Sequence, residues 1–311
     1  MSDNSSNYQA HNAFREARVK SMLRDVWSAF QQQPNHLLAY DEVREQLHAT
    51  GGVYRGLQQV PVAQIVGSVN RHRDFDRIFL PRQAGTEDRW ASVGRAHFDQ
   101  VNLPPVKLYR LGEVYFVVDG HHRVSVARIL GQEFIDAEVH EVQVRVPIKA
   151  NINPRDLEII GEKADFLIKT RLDETRPQVN FDMTIPGGYS VLLDHIDTHR
   201  YFQSVQWNRE FSMEESAMHW CDDVYLPMVQ SIENSEILTA FPRKTAGDMY
   251  VWLIEHQFYL REQFGTEVTT QQTVSSFRER FAQPLFKRIW KWISRHILRN
   301  NAEIGKLDQN R

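Results

Sequence analysis

Five consecutive residues near the middle of the chain carry the groups that proteins use to bind phosphate. Asp119, Gly120, His121, His122 and Arg123 follow an apolar run and precede a helical one. A strand that turns directly into a helix gathers free backbone N–H groups, and the helix dipole adds partial positive charge, so such a turn is an anion site. Gly120 tolerates positive φ and lets the backbone approach a ligand. Arg123 adds a guanidinium fork for phosphate oxygens.

The remaining side chains of this turn suggest catalysis. His121 and His122 add donors whose charge changes near neutral pH and which can stabilise developing charge. Asp119 would repel a bare phosphate, so it fits better as a magnesium ligand, a general base or a group that orients a histidine. Asp119, His121 and His122 are therefore the candidate catalytic residues, and no dedicated protein metal site is predicted. A structural turn is the alternative, with His122 packed inside and Arg123 paired to a carboxylate.

Hydrophobic periodicity predicts the elements that hold this turn in place. Two β-rich runs, Val106–Tyr109 and Val114–Val118, flank a Leu-Gly-Glu turn and predict a hairpin whose second strand leads into Asp119. Beyond the turn, apolar residues at helical spacing predict a helix that ends at Gly131. Alternation over residues 135–146 predicts a further strand. The unit is therefore strand, turn, helix and strand on a small α/β sheet.

This part of the sequence resembles the ParB/sulfiredoxin-like domain. Asp119 to Arg128, which reads Asp-Gly-His-His-Arg-Val-Ser-Val-Ala-Arg, is followed by a glycine and a strand at 135–139, as in that domain. Residues 60–65, Val-Pro-Val-Ala-Gln-Ile, with arginines beyond them, resemble its opening strand and arginine-bearing loop. The resemblance covers about residues 57–145 and implies a small α/β domain.

The resemblance also implies a ligand. In ParB proteins the matching turn reads Gly-Glu-Arg-Arg and binds a nucleoside triphosphate; here Gly120 and Arg123 match, while histidines replace the middle pair. Arg71, Arg73 and Ser68, around the loop after the opening strand, are added to the predicted phosphate ligands. We therefore expect an unidentified nucleotide or a phosphorylated small molecule as the ligand, with Mg²⁺ as its companion.

Related members of the fold suggest other activities. In sulfiredoxin a reactive cysteine precedes His-Arg, and His121 occupies that place here, which excludes sulfiredoxin chemistry. The turn is similar to that of small-molecule kinases such as the free serine kinases. These kinases also use an acidic residue just after the first strand, whereas the first acidic residue after that strand here is Asp74. The prediction is a nucleotide-dependent regulatory or DNA-associated switch. A small-molecule kinase or a ParB-like nuclease is the alternative, so a phosphotransferase or nucleotide hydrolase activity stays open.

The whole chain resembles a bacterial family that couples such a domain to a helical C-terminal domain of unknown function. This second likeness is carried by residues 186–189, 195–201, 225–227 and 241–252. Ser212 with Glu215 forms a capping-box pattern, and Thr245 with Asp248 is a similar pattern, so both pairs predict helix starts. The predicted class is α+β: N-terminal helices, a small α/β domain and a mostly helical domain.

Composition excludes several classes of protein. The 311 residues are 41% hydrophobic and 25% charged, which is typical of a folded soluble chain and excludes a disordered one. The single cysteine, Cys221, cannot form an internal disulfide. No apolar stretch is long enough to cross a membrane, and the first residues lack the pattern of a signal peptide. We expect a cytoplasmic protein.

Charge is distributed unevenly along the chain. Residues 1–150 carry +1, residues 151–276 carry −10 and residues 277–311 carry +6. After Pro147 the sequence changes to helical patterns. Together with the charges, this predicts a helical segment at 1–56, an α/β domain at 57–150, an acidic helical domain at 151–276 and a basic C-terminal helix at 277–311. The acidic domain argues against phosphate-backbone contact, and no helix-turn-helix follows the α/β domain, so nucleic acid is not a favoured partner.

The C-terminal segment has an amphipathic pattern. Apolar residues from Phe277 to Trp292 recur at helical spacing among arginines and lysines, with a break at Pro284. Such a helix could lie on an anionic membrane or a nucleic acid. We favour docking on the acidic domain, because the opposite charges lie in the same chain. A homo-oligomer is also kept as a prediction.

Two weaker signals lie in the acidic domain. His195 and His199 are spaced to share one helix face, but a zinc protease would need glutamate where Ile196 stands. A metal pair completed by Asp194 or by a distant carboxylate is one interpretation, and two histidines hydrogen-bonded at a helix interface is the favoured one. Cys221 is predicted to be a small buried residue and not a nucleophile.

Overall fold

A computed structural model describes residues 2–30, 35–149, 152, 154–235 and 237–264 of the chain. The chain divides into two units, Met1–Ile168 and Lys169–Arg311. Helices and a mixed sheet form the first unit, and the described part of the second is helical. The predicted α+β class, with N-terminal helices and a helical C-terminal part, is confirmed.

The described residues of the first unit form six strands with helices before, between and after them. Its strands are β1 (Leu38–Ala39), β2 (Thr50–Pro61), β3 (Ile65–Ser68), β4 (Val106–Leu111), β5 (Val114–Asp119) and β6 (Phe134–Gln143). Its helices are α1 (Ser2–Phe30), α2 (Tyr40–Gln46), α3 (Glu87–Phe98) and α4 (His121–Ile129), and α5 (Pro154–Thr170) runs across the boundary to the second unit.

The six strands form one sheet in the order β1-β3-β5-β4-β6-β2. β4 and β5 pair antiparallel as the predicted hairpin, with Leu111 opposite Val114 and Gly112 at φ 61° in the turn. β3 and β5 pair parallel, with Ser68 opposite Val117. Because parallel strands end at the same edge of a sheet, the residues that follow β3 and β5 meet there. That edge carries the Asp119–Arg123 turn.

Apolar side chains cover both faces of the sheet. On one face, Val124 of α4 is buried against a cluster that includes Phe75 and Val117. On the other face, Val43 of α2 and Leu157 of α5 belong to a second buried cluster. A smaller cluster joins the outer helices of the unit to α4: Phe14, Trp90 and Val126. α4 is thus packed on two sides, which fixes the helix that begins at the candidate site.

A buried carboxylate organises the loop after β3. Asp76 accepts hydrogen bonds from the backbone N–H groups of Ile78 and Leu80 at 3.0 and 2.8 Å, and from Arg24 Nε at 3.0 Å. Its side chain is fully buried, and burial raises the pKa of this carboxyl group. Ser125 Oγ of α4 donates to the carbonyl of Phe79 at 2.6 Å. The loop that carries Arg71 and Arg73 is therefore fastened both to α1 and to α4.

The described part of the second unit is an arrangement of helices. The described ones are α6 (Leu172–Thr175), α7 (Gly188–Trp207), α8 (Met213–Trp220), α9 (Leu226–Asn234), α10 (Ile237–Ala240) and α11 (Ala246–Phe264), with a π-helical turn at Cys221–Tyr225 joining α8 to α9. Ser212 and Glu215 form the predicted capping box. Thr245 and Asp248 exchange hydrogen bonds at 3.1 Å at the start of α11, so both predicted helix starts are confirmed.

The strand β2 differs from its prediction. The resemblance predicts an opening strand at residues 60–65, whereas β2 begins at Thr50, inside the segment predicted as helical, and pairs with β6 along its length. Gly51 and Gly56 have φ values of 68° and 81°, and register shifts lie near both. These irregularities interrupt the alternation that marks a strand, so the first half of β2 shows no strand pattern in the sequence.

Candidate functional site

Gly120 makes the turn between β5 and α4 in a single residue. It is the N-cap of α4 and has φ 97° and ψ 24°, in the left-handed region that glycine adopts most easily. A Cβ at this position would lie 2.6 Å from Val106 Cγ1 and 3.0 Å from two nitrogens of Arg123. The first backbone N–H groups of α4 lack partners within the helix, as at every helix start. Glycine is therefore required in the predicted anion-binding turn, because the backbone lies too close to Val106 and Arg123 to leave room for a Cβ.

Ser68 and His121 meet at the edge of the sheet. Ser68 Oγ lies 2.8 Å from His121 Nε2, and the same oxygen accepts a hydrogen bond from the backbone N–H of Arg71 at 2.9 Å. Ser68 is fully buried and His121 is 5% exposed. A hydroxyl beside an imidazole resembles the pair of a nucleophile and its base, but a nucleophile must reach its substrate. In this arrangement Ser68 holds His121 and the start of the loop.

Arg71 is held above the second histidine. Its Nε donates to Asp74 Oδ2 at 2.6 Å, its Nη1 lies 3.4 Å from His122 Nε2, and its guanidinium carbon lies 5.8 Å from the ring centre of Phe75. The Arg71 side chain is 28% exposed. Arginine carries five N–H donors in a fixed plane, so this arrangement fixes the fork and leaves other donors for a ligand.

The contact with Arg71 determines which nitrogen of His122 carries the proton. Arginine only donates, so His122 Nε2 must accept, and the proton of the neutral ring lies on Nδ1. His122 Nδ1 is buried and has no hydrogen-bond partner among the described residues. A buried donor without an acceptor costs about 1–3 kcal/mol. The first turn of α4 thus contains an unsatisfied donor that an incoming acceptor would satisfy.

Both histidines are neutral at physiological pH. Burial, and then the positive charge of Arg71, lower the pKa of His121 and of His122 from 6.5 to about 4. The charge of Asp74 acts on both rings. His121 is also affected by Asp119 and His122, and His122 by Arg89. Phe75 lies edge-on to His122 at 5.6 Å and stacks with His121 at 6.2 Å. The rings therefore act as neutral hydrogen-bonding groups and not as cations.

Arg123 turns away from the two histidines. It donates to the carbonyls of Pro104 and Pro105, the latter at 2.9 Å, and to Asp119 Oδ2 at 2.8 Å. This is the carboxylate pairing that the sequence allows as the structural alternative. Asp119 is 67% exposed and Arg123 is 14% exposed. Arg123 fastens the segment before β4 to the start of α4, and no candidate catalytic role of Asp119 is supported by a contact with either histidine.

Replacing Arg123 by alanine is expected to lower the free energy of unfolding by about 2 kcal/mol without any ligand, because two carbonyls lose a charged donor. Urea unfolding followed by circular dichroism measures this change. Asp119→Asn is the matched control: it removes only an exposed ion pair, so its expected effect is below about 1 kcal/mol. If Arg123→Ala keeps wild-type stability, the structural role assigned to Arg123 is wrong.

The structure brings some of the predicted site residues together and leaves Asp119, Arg123 and Arg73 apart from them. Ser68, Arg71, His121 and His122 lie together around the start of α4, and Gly120 makes the turn. Arg73 is exposed in the same loop. Two further residues of the cluster, Asp74 and Phe75, were not predicted as site residues. The spacing of Arg71 and Asp74, three apart, was the available signal.

The weaker sequence signals lie in the second unit. His195 Nδ1 lies 3.3 Å from Tyr250 Oη, and burial lowers the pKa of His195. Burial also lowers the pKa of His199, and raises the pKa of the buried Cys221 thiol to about 12. Within the described residues, no group of three histidine, cysteine or carboxylate side chains could hold a metal ion. The hydrogen-bonded interpretation agrees with the structure for His195 but is wrong for His199, whose Nε2 is buried without a partner among the described residues. The buried interpretation of Cys221 agrees with the structure.

Comparison with known proteins identifies one segment of the chain. Residues 190–281 match DUF4032, a domain of unknown function. The match spans less than half of the chain and confirms that the C-terminal part contains such a domain. Among solved structures, the chain is similar to a Pnob8-like ParB-N domain, at 11% identity, over 78% of this chain and 99% of that one, with a TM-score of 0.21. A TM-score this low carries no argument about function. No curated protein matches the chain.

Two other predictions concern membranes and the C-terminal segment. Across the described parts of the chain, no helix is both long enough and apolar enough to cross a membrane. The basic amphipathic segment at 277–311 lies outside the described residues. Its docking on the acidic domain stays a prediction.

Proposed function

We propose that the chain binds a phosphate-bearing ligand, a nucleotide in the first instance, at the turn between β5 and α4. The observation that carries the proposal is the grouping, at the start of α4, of free backbone N–H groups with the partly exposed guanidinium of Arg71 and with the Nδ1–H of His122, which lacks an acceptor among the described residues. A phosphate oxygen is an acceptor with several lone pairs, and the backbone N–H groups at the start of α4 favour a negative charge at the same place. An anion would therefore satisfy several donors at once.

Arg71 supplies the positive charge of the proposed site. Its guanidinium is fixed by Asp74 on one side and faces His122 on the other. A phosphate here would receive charge-assisted hydrogen bonds from the free donors of Arg71. Because Arg71 lies at the Nε2 edge of the His122 ring, the Nδ1–H of His122 would donate to a different acceptor of the same ligand. Ser68 and His121 lie beneath and position these groups. The proposed roles differ from the sequence hypothesis. Arg71, and not Arg123, is the arginine we propose as the phosphate ligand, and Ser68 and His121 hold neighbouring groups in place instead of contacting the ligand.

The ion pairs favour binding over turnover. A kinase or a nuclease needs a carboxylate that can accept a proton or hold Mg²⁺. Asp119 is paired with Arg123 and Asp74 with Arg71. A bound nucleotide would bring its own phosphate oxygens as magnesium ligands, with Asp74 or Asp119 joining only if its ion pair opens. We therefore place a nucleotide-dependent regulatory switch before the small-molecule kinase and nuclease alternatives.

Binding is tested by calorimetry and thermal shift with nucleoside mono-, di- and triphosphates and with inorganic pyrophosphate, each with and without Mg²⁺. We expect saturable stabilisation by at least one of them. Arg71→Ala is expected to weaken that binding about 10- to 100-fold, because charged hydrogen bonds contribute about 1.5–3 kcal/mol. Arg73→Ala, which changes an exposed arginine two residues away, should bind like the wild type.

Each result has a defined consequence. If no nucleotide and no pyrophosphate stabilises the wild type, the proposed site is wrong. Equal losses for Arg71→Ala and Arg73→Ala would indicate general electrostatic attraction instead of a built site. Transfer of labelled phosphate from ATP to serine, or cleavage of a phosphodiester, would replace the switch by one of the enzymatic alternatives.

A further inference from the structure

The outer half of α1 carries apolar side chains that no described part of the chain covers. These side chains, which we call the outer face of α1, are each between 57% and 83% exposed: Val19, Met22, Leu23, Val26, Trp27 and Phe30. The rings of Trp27 and Phe30 stack on each other with centres 6.2 Å apart. Single exposed apolar residues are ordinary, but a contiguous set of this size marks an interaction surface.

The spacing of this face is that of a helix packed on a core. Residues 19, 22, 23, 26, 27 and 30 follow the three- and four-residue steps of a broad apolar stripe. The opposite side of α1 already faces the unit, since Ala10, Phe14, Ala17 and Ser21 are buried. With 3.6 residues per turn, the two sets lie on opposite sides of the helix. α1 therefore has two core-like faces, one covered and one that the described residues leave exposed.

The area of the outer face is close to what a stable dimer needs. Its six side chains expose roughly 700 Å², from the typical areas of such side chains, more than the few hundred Å² of an ordinary apolar patch. A standard interface buries about 800 Å² on each partner. Tryptophan, phenylalanine and methionine are also the types enriched at the centres of interfaces.

We infer that the outer face of α1 pairs with the same face of a second copy of this chain. A symmetric pair brings each residue of the stripe against the stripe of the partner, so one patch covers another and no apolar surface is left over. The pairing needs neither the phosphate site nor a ligand, and the inference stands apart from the proposed function. It assigns α1, whose inner side packs on its own unit, the role of the dimer helix.

Sedimentation equilibrium of the full-length chain tests the pairing, between roughly 1 and 100 µM, the range that resolves micromolar dissociation constants. The wild type is expected to have twice the mass of one chain. The double substitution Leu23→Glu with Trp27→Glu should give a monomer, with the dissociation constant of the dimer raised at least about 100-fold. It removes two apolar side chains from the centre of the interface and places unpaired charges there. Both side chains are exposed in the single chain, so folding is unaffected.

The matched control places the same charges on another exposed apolar surface. Tyr201→Glu with Val205→Glu changes two residues of α7 that are 66% and 65% exposed, and this variant should stay dimeric. A monomeric wild type over the whole concentration range overturns the inference, as does a dimer that survives the α1 substitutions. If the wild type is monomeric and binds phosphatidylserine vesicles through α1, the face is a membrane surface and the inference is wrong.

Discussion

Replacing Gly120 by alanine is expected to lower the free energy of unfolding by about 3 kcal/mol and to abolish ligand binding. An added Cβ meets Val106 Cγ1 at 2.6 Å, and Val106 is fully buried in the sheet. Left-handed backbone at φ 97° costs a further 1–2 kcal/mol or so for any residue with a Cβ. The clash moves the start of α4 away from β4, and with it the N–H groups proposed to face the phosphate.

Gly131 provides the matched control for this prediction. It lies just after α4, with φ 71°, and a Cβ there meets no atom within 4 Å. Gly131→Ala is therefore expected to lower the free energy of unfolding by about 1–2 kcal/mol, from the left-handed backbone alone. This variant should still be stabilised by nucleotide as the wild type is. Urea unfolding of both variants, followed by calorimetric titration, separates the two effects. Equal stability losses would show that Val106 yields easily and that the close approach at Gly120 is unimportant.

The turn itself could be predicted because its determinants are local. A β-rich run, a glycine and a helical stripe follow one another in sequence, and each element forms where its own residues favour it. The hairpin before Gly120 and the helix after it are present as predicted. The capping pair at Ser212 and Glu215 was predictable for the same reason, since both partners lie within one turn of helix.

The choice between arginines could not be made from the sequence. Arg71 and Arg73 stand in the same polar loop, and only the folded loop turns one towards His122 and leaves the other exposed. That loop is shaped by Asp76, whose partners include Arg24, 52 residues away along the chain. Sequence spacing contains no information about such a contact. Arg123 illustrates the same limit, because its carbonyl partners, Pro104 and Pro105, precede the hairpin.

Burial changes the chemistry that the histidines offer. From the sequence, His121 and His122 are groups that could carry charge near neutral pH. In the fold, α4 is packed on two sides, so both rings are enclosed and neutral. A neutral ring with its proton fixed on one nitrogen is a directional donor, and it selects an acceptor by position instead of by charge. The positive charge of the site then resides in Arg71, which lies nearer to solvent.

Stability is therefore expected to fall as the pH is lowered from about 6.5 to about 4. The pKa of both rings is about 4 in the folded chain and near 6.5 when unfolded, so between these values the unfolded chain binds protons that the folded chain does not. The expected loss is about 3 kcal/mol for each ring, because both are almost fully buried and have the same folded pKa of about 4. Below about pH 4 this contribution is fully lost.

Urea unfolding at intervals between pH 7 and pH 4.5 measures the effect, with His121→Gln and His122→Gln compared with the wild type at each pH. Each substitution removes one titrating ring, so the gap between wild type and variant should narrow as the pH falls. Arg71→Ala should show an intermediate dependence, because it removes the second cause of the lowered pKa and leaves burial in place. A gap that stays constant with pH would mean that the rings are charged or exposed in the folded chain. It would remove the neutral donor on which the phosphate site depends.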